Sequence, residues 1–307
     1  MTYSIVARDP GTGEFGVAVQ SHYFSVGPVV PWAQPGVGAV ATQSMVNVSL
    51  GPRGLALMAA GQSAPDALAL LLAGDEGRES RQVAFIDATG KVAVHTGAKC
   101  IVHAGHVVGD AVSCQANIMA TPKIWGAMLD AYEAARERSE TMAQRLLAAL
   151  DAAEALGGDV RGRQSAALLV VPGEGEPWER EVELRVEDHP DPLVELRRLL
   201  KVHEAYALGS RADDELVAGN PAEAGRLFNA ALALAPGNHE LKLWSGISLV
   251  HAGESAEGVA LVREAILEQP GWAWLLPRLS DDQVPGVGAV CAELGLRIAE
   301  DPGALSG

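Results

Sequence analysis

The chain reads as an α+β protein: antiparallel sheets covered by helices, followed by a small all-α tail. Three observations predict this. The predicted strands come in adjacent pairs joined by short turns, and strand–helix–strand alternation is missing. Apolar residues make up 48% of the 307 residues and aromatic residues only 5%, so a sizeable core must be built from Ala, Val and Leu. The end of the chain repeats itself at a helical-repeat spacing. These place residues 1–207 in the α+β domain and residues 208–307 in the tail.

Residues 2–9 are rich in β-formers and stop at the turn Pro10-Gly11-Thr12-Gly13; residues 15–21 return as the second strand of an opening hairpin. Residues 36–43 predict a third strand whose small side chains admit close packing. Gly51-Pro52-Arg53 opens a helical stretch, with Leu55, Met58 and Ala59 on one face and then Ala67, Leu68, Leu71 and Leu72 on the next. Between them Ser63 reads as a helix cap, with Pro65 in the first turn. Residues 82–87 and 91–96 form a second hairpin across Ala88-Thr89-Gly90, and residues 112–118 add a strand. A helical region spans residues 124–156, interrupted near 137–141 and closed by Gly157-Gly158-Asp159. Residues 165–171 are continuously apolar, as in a strand buried on both faces, and residues 182–186 alternate beside them. A helix over 192–206 leads out of the domain.

In the tail, a shift of about 34 residues superposes Ala212 on Gly246, Gly219 on Gly253, Ala224 on Gly258, Ala231 on Ala265 and Pro236 on Pro270. Small residues at crossing points and a terminal Pro resemble the tetratricopeptide pattern, although its early Trp and Tyr positions are mostly replaced. Two such repeats bury little surface alone. The tail is therefore expected to lean on the first domain, on an extra helix over 287–300, or on another subunit. A homodimer is the expected state, with the tail surface open to a protein partner.

The net charge is -16 and the pI about 4.9, shared evenly on either side of Ala207. Such a surface repels phosphate backbones and anionic lipid, so neither nucleic acid nor membrane is an expected partner. Cys100, Cys114 and Cys291 are far apart and form no C-x-x-C, which argues against a disulfide framework or a zinc site. The start of the chain has no basic region and no long apolar run, so a cytoplasmic location is expected. Gly36-Val37-Gly38 lacks the third glycine of a dinucleotide fingerprint, and neither a Walker loop nor H-E-x-x-H occurs. His103 and His106 have a spacing that a metal can use, but beyond Asp110 no carboxylate completes them, and Gly105 reads as a loop. No metal and no cofactor are expected.

Thr2 follows Met1, and methionine is usually trimmed before a small residue. Trimming leaves a threonine with a hydroxyl nucleophile and a free α-amine, whose ordinary pKa of about 7.7–8.0 suits it to act as base for its own side chain. Ser4 shares the face of Thr2 on the strand. By itself, a Met-Thr start is usually without meaning.

The blocks Met1-Thr2-Tyr3-Ser4-Ile5-Val6-Ala7-Arg8-Asp9, Gly16-Val17-Ala18-Val19, Ala39-Val40-Ala41-Thr42-Gln43 and Arg81-Gln82-Val83 with Asp87 resemble a bacterial family. So does Gly157-Gly158-Asp159-Val160-Arg161-Gly162-Arg163-Gln164-Ser165-Ala166-Ala167-Leu168, the most specific of the blocks. It is the domain of unknown function 1028 family, grouped with the N-terminal nucleophile (Ntn) hydrolases. The resemblance covers roughly the first two-thirds of the chain and leaves out the tail. It implies a four-layer αββα sandwich and hydrolysis of an amide bond in a small-molecule substrate, with Thr2 where the nucleophile belongs. Tyr3 after it is a departure, and a retained Met1 would block the amine. Thr2, Ser4 and Asn117 are then the catalytic candidates, and Ser21, Gln43, Asn47, Asp159, Arg161 and Gln164 the substrate-binding ones. Gln43, Asn47 and Asn117 offer side-chain N–H groups to an oxyanion, or else satisfy loop backbone. Arg161 holds a substrate carboxylate, or else locks a turn with Asp159. The competing reading is a catalytically silent protein of the same shape that binds a metabolite or serves an assembly through its tail.

Overall fold

The structure is a computed structural model and describes residues 2–298. Met1, and residues 299–300 of the last predicted helix, lie outside that range. The chain divides into two compact units, the first ending at Leu200 and the second starting at Lys201.

The first unit runs β1 (Thr2–Arg8), β2 (Phe15–Ser21), β3 (Pro31–Gln34), β4 (Gly38–Ser44), α1 (Leu50–Ala59), α2 (Ala64–Ala73), β5 (Arg81–Asp87) and β6 (Val92–Thr96). It continues through β7 (Gly105–Gly109), β8 (Val112–Asn117), α3 (Ile124–Glu137), α4 (Met142–Ala155), β9 (Ser165–Val171), β10 (Val182–Val186) and the start of α5 (Pro192–Val217). The strands form two antiparallel sheets, ordered β10-β9-β2-β1-β8-β7 and β3-β4-β5-β6.

The period-two alternation along β1 sorts its side chains between two cores. Tyr3, Ile5 and Ala7 point to a core shared with Met128, Tyr132, Leu146, Leu150 and Leu196 of α3, α4 and α5. Val6, with Val17, Val19 and Leu169, packs instead against Ala39, Ala41, Ala84 and Ile86 of the second sheet. The far face of that sheet carries Val40, Val83 and Phe85, covered by Leu55, Met58, Leu68 and Leu71 of α1 and α2. Helices, sheet, sheet and helices therefore lie in four layers. In the middle layers, β2 and β9 are buried along their whole length, as their apolar runs require.

The helix ends follow local chemistry. Ser63 Oγ accepts from Asp66 N–H at 3.3 Å, while the Asp87 carboxylate accepts from Ala64 N–H at 2.8 Å and so ties α2 to β5. Thr141 and Gln144 make a reciprocal capping box that restarts the chain as α4 after the break. Gly54 sits where a Cβ would come within 2.4 Å of the Phe85 ring, so α1 needs a bare backbone to approach the sheet.

Three elements depart from the sequence reading, and the helix expected over 287–300 stops at Leu294, where Gly295 turns the chain in a left-handed conformation with φ of 66°. β3 begins with Pro31, which donates no backbone hydrogen bond, and it lies at a sheet edge where none is required. β7 replaces the loop expected around Gly105 and sets His106 on an edge strand. α5 runs on to Val217 instead of stopping at Tyr206: Ala205, Leu208, Ala212 and Leu216 keep an apolar stripe through a stretch that also carries Arg211, Asp213, Asp214 and Glu215.

The second unit contains the end of α5, then α6 (Pro221–Leu234), α7 (His239–His251), α8 (Ser255–Glu268), the short α9 (Gly271–Leu275) and α10 (Val287–Leu294). Its repetition is visible in the backbone. Asn220 N–H donates to Glu215 O at 2.8 Å, and its counterpart Glu254 N–H donates to Leu249 O at 2.9 Å. Gly219 and Gly253 turn the chain in left-handed conformations, with φ of 80° and 98°. Gly246 and Gly258 let α7 and α8 touch: a Cβ on either would lie within 2.6 Å of the other's carbonyl oxygen. Among the described residues no helix is long and apolar enough to cross a membrane.

Candidate functional site

Thr2 opens the described chain in the middle of the larger sheet, opposite Ser21 on β2 and Asn117 on β8. It is buried, and its Oγ1 lies 3.0 Å from Ser21 Oγ, within hydrogen-bond distance, with either hydroxyl able to donate. From the second sheet, Gln43 of β4 reaches across and donates from Nε2 to Thr2 O at 3.4 Å; Asn117 Nδ2 donates to the same oxygen at 3.4 Å.

The orientation of both amides is set by Gln82 of β5. Its Nε2 is surrounded by acceptors, Ala116 O at 2.9 Å, Gly105 O at 3.1 Å and Thr96 Oγ1 at 2.9 Å. Its Oε1 is left to accept from Gln43 Nε2 at 2.8 Å and Asn117 Nδ2 at 2.9 Å. Both neighbours must therefore turn their nitrogens toward Gln82 and their oxygens away. Gln43 Oε1 and Asn117 Oδ1 are buried and accept no hydrogen bond among the described residues. Such groups are costly unless something donates to them.

Thr2, Ser21, Gln43 and Asn117 line a cleft of about 340 Å³ together with Arg161. Its walls are apolar, from Tyr23, Val26, Val29, Val30, Met45, Val46, Ile101 and Ile118, and Lys99 also lines it. Ser44 and Ile118, each directly after a site amide, take left-handed backbone conformations with φ of 69° and 58°. For a β-branched residue such as Ile118 this is unfavourable, and strain of this kind tends to accumulate at functional sites. Ser165 fixes the Tyr23 wall, donating from Oγ to Tyr23 O at 2.5 Å and accepting from Val26 N–H at 3.1 Å.

Asp159 is buried beside the cleft. Its carboxylate accepts from His22 N–H at 3.0 Å and from Arg161 N–H at 2.9 Å, and it pairs with the Arg161 side chain at 3.2 Å. The turn-lock geometry is thus present, with Arg161 also facing the cleft.

Other candidates lie apart. Ser4 is sealed between the sheets, where its Oγ accepts from Gln115 Nε2 at 2.6 Å and Gln115 Oε1 accepts from Ser113 Oγ at 2.8 Å. Asn47 does not line the cleft: its Oδ1 accepts from Ser49 N–H and Oγ, at 3.2 Å and 2.8 Å, in the turn before α1. Gln164 donates to Asp188 Oδ1 at 3.2 Å, also away from the cleft. The ring nitrogens of His103 and His106 meet Met119 O at 3.1 Å and Thr96 Oγ1 at 2.9 Å. Among the described residues no three His, Cys, Asp or Glu side chains converge as a metal site would need. Tyr3 points into the helix-side core and donates to Glu154 at 2.6 Å; burial first, and then that carboxylate, raise its phenol well above its ordinary pKa.

Gln82 and Lys99 escaped the sequence reading. Gln82 had a signal: it is the polar residue on the intersheet face of a strand whose other positions on that face, Ala84 and Ile86, are apolar. Lys99 had none, being one charged residue in a turn.

A family model, described as a family of unknown function (DUF1028), matches residues 2–196. The crystal structure of protein SPO2555 from Silicibacter pomeroyi, described as a DUF1028 family protein, is similar at a TM-score of 0.59 and 33% identity, over 65% of this chain and 88% of that one. Anbu, the ancestral beta-subunit from Yersinia bercovieri, aligns over 64% of this chain and 91% of its own at 13% identity, but its TM-score of 0.31 fixes neither fold nor function. No curated protein matches.

Proposed function

Since the chain belongs to the DUF1028 family, a family of unknown function, we propose that it is an Ntn-type hydrolase that cleaves a small amide with Thr2 as nucleophile and no cofactor. The observation that carries this reading is the Thr2 hydroxyl, which lies at a cleft within hydrogen-bond reach of Ser21 and is flanked by two oriented amides. On this reading removal of Met1 frees the α-amine. The amine takes the Thr2 hydroxyl proton as Oγ1 attacks the carbonyl, then returns it to the leaving nitrogen; water resolves the acyl-enzyme. The amides of Gln43 and Asn117 hold the Thr2 backbone through their nitrogens, and their oxygens, which accept nothing among the described residues, suit an ammonium as donor. The four layers agree with an Ntn-hydrolase fold, and the repeated turns of the second unit agree with tetratricopeptide-like pairs serving as a docking surface.

Two measurements test the reading. Intact mass of protein purified from its own host should lack Met1, and full retention would sink the mechanism. With an amide found by screening, Thr2→Ala should lower turnover by several orders of magnitude, whereas Thr2→Ser should keep part of it. If Met1 is retained while the cleft still binds its amide, the silent binding protein is the better account.

A further inference from the structure

Resting on the cleft at Thr2 as the substrate site, we propose that the amide it takes carries a single carboxylate, paired by Lys99, and an apolar group seated on the cleft's apolar wall. The charges of the lining decide the first part. Lys99 and Arg161 are its charged side chains, and no Asp or Glu lines it among the described residues. In a chain of net charge -16, a cleft whose charged side chains are both cationic runs against the overall balance. Arg161 is already compensated, its backbone N–H and guanidinium both spent on the buried Asp159 carboxylate. The Lys99 ammonium has neither an ion pair nor a hydrogen bond among the described residues. One uncompensated positive charge fits a monoanion, and so a carboxylate better than a doubly charged phosphate.

The backbone that presents Lys99 is fixed in advance. Lys99 N–H donates to Glu79 O at 2.7 Å, Cys100 N–H to Gly97 O at 3.0 Å, and Cys100 Sγ to Arg81 O at 3.3 Å. A Cβ on Gly97 would lie 2.3 Å from Glu79 O, so the turn closes this tightly through its glycine. Two residues on, Ile101 O accepts from Ile118 N–H at 3.0 Å, which ties the same segment to the strand end after Asn117. Binding an anion here therefore requires ordering of the Lys99 side chain alone.

The apolar half of the ligand follows from the exposed surface. Tyr23, Met45 and Ile101 are 51%, 66% and 62% exposed although large and apolar, and all three line the cleft. Val26 and Val30 are buried behind them, so the wall continues inward from its exposed rim. An acyl chain or aryl ring would cover this surface. The substrate class is thus an N-acyl amino acid or a related secondary amide with one acidic end.

The test uses the full chain carrying Thr2→Ala, so that nothing is turned over. N-octanoylglycine and its uncharged methyl ester are titrated calorimetrically at low and high salt. The acid should bind about five- to tenfold more tightly than the ester at low salt, as one partly solvated ion pair allows, and high salt should narrow the gap. Lys99→Ala should erase the gap without weakening the ester, and Lys99→Arg should keep most of it. Equal binding of acid and ester, a preference that survives Lys99→Ala, or no binding of either in the millimolar range would overturn the proposal. Hydrolysis is measured separately with Thr2 in place. A Lys99-dependent preference without turnover leaves this assignment standing and removes the nucleophile; turnover of neutral amides indifferent to Lys99 does the reverse.

Discussion

At Gln82 the amide nitrogen is surrounded by Ala116 O, Gly105 O and Thr96 Oγ1, which leaves its oxygen to two neighbouring amides in a fully buried place. Gln82→Leu removes that shared acceptor and leaves Gln43 and Asn117 without their shortest partner. Unmade buried hydrogen bonds cost about 1–3 kcal/mol each, so the variant should lose about 2–5 kcal/mol in urea denaturation. Gln82→Glu should be milder, and milder at about pH 5 than at about pH 7, because burial raises a carboxyl pKa and the protonated form can still donate to Ala116 O. A Leu variant as stable as the parent would mean that the amides reorient freely. On β8 of the larger sheet, burial raises the pKa of the Cys114 thiol far above its ordinary value, while Cys100 is half-buried, which separates an inert sulfur from one near the surface.

The elements show what could be read from the residues. β1, β2 and β9 were legible because their apolar runs are bounded by turns, β10 because it alternates, and the capped start of α2 because Ser63, Pro65 and Asp66 stand in order. β3 and β7 were hidden by a Pro and by flanking glycines, residues that speak against strands except at an edge. The same limit applies to the cleft. Thr2, Ser21, Gln43 and Asn117 were found at strand ends, but Asn47 and Gln164 are of the same chemical types and face other partners, which only the register and loop path decide. Asp87 shows an element held by a charge. Burial alone would raise its pKa, but donation from the Thr89 hydroxyl and from the N–H groups of Ala64, Thr89 and Lys91 outweighs this and lowers it. A depressed pKa means stability that is fully present above the unfolded value of about 3.9 and is lost as pH falls through the folded value. Asp87→Asn should therefore cost about 1.5–3 kcal/mol at neutral pH, and its acid-denaturation curve should be flatter below about pH 4 than the parent's. Equal slopes would place the acid sensitivity elsewhere.

On the scale of the whole molecule, the second unit keeps large apolar side chains in view. Leu267 is 76% exposed and Trp274 61%, with the Arg278 guanidinium 3.9 Å from the Trp274 ring. We expect a second copy of the chain to cover part of this surface. Light scattering of the full chain should give a dimer that Leu267→Glu weakens; a monomer would refute the expectation. The larger sheet has a practical consequence at its first residue. Thr2 is paired on both sides, with Ser21 and with Asn117, and those three residues line the cleft. On the proposed mechanism, a purification tag fused ahead of Thr2 would be joined to a residue that lines the cleft and would hold its nitrogen in a peptide bond. Protein prepared that way would score as inactive in a substrate screen for want of a free α-amine, and a handle fused after the second unit is the safer choice.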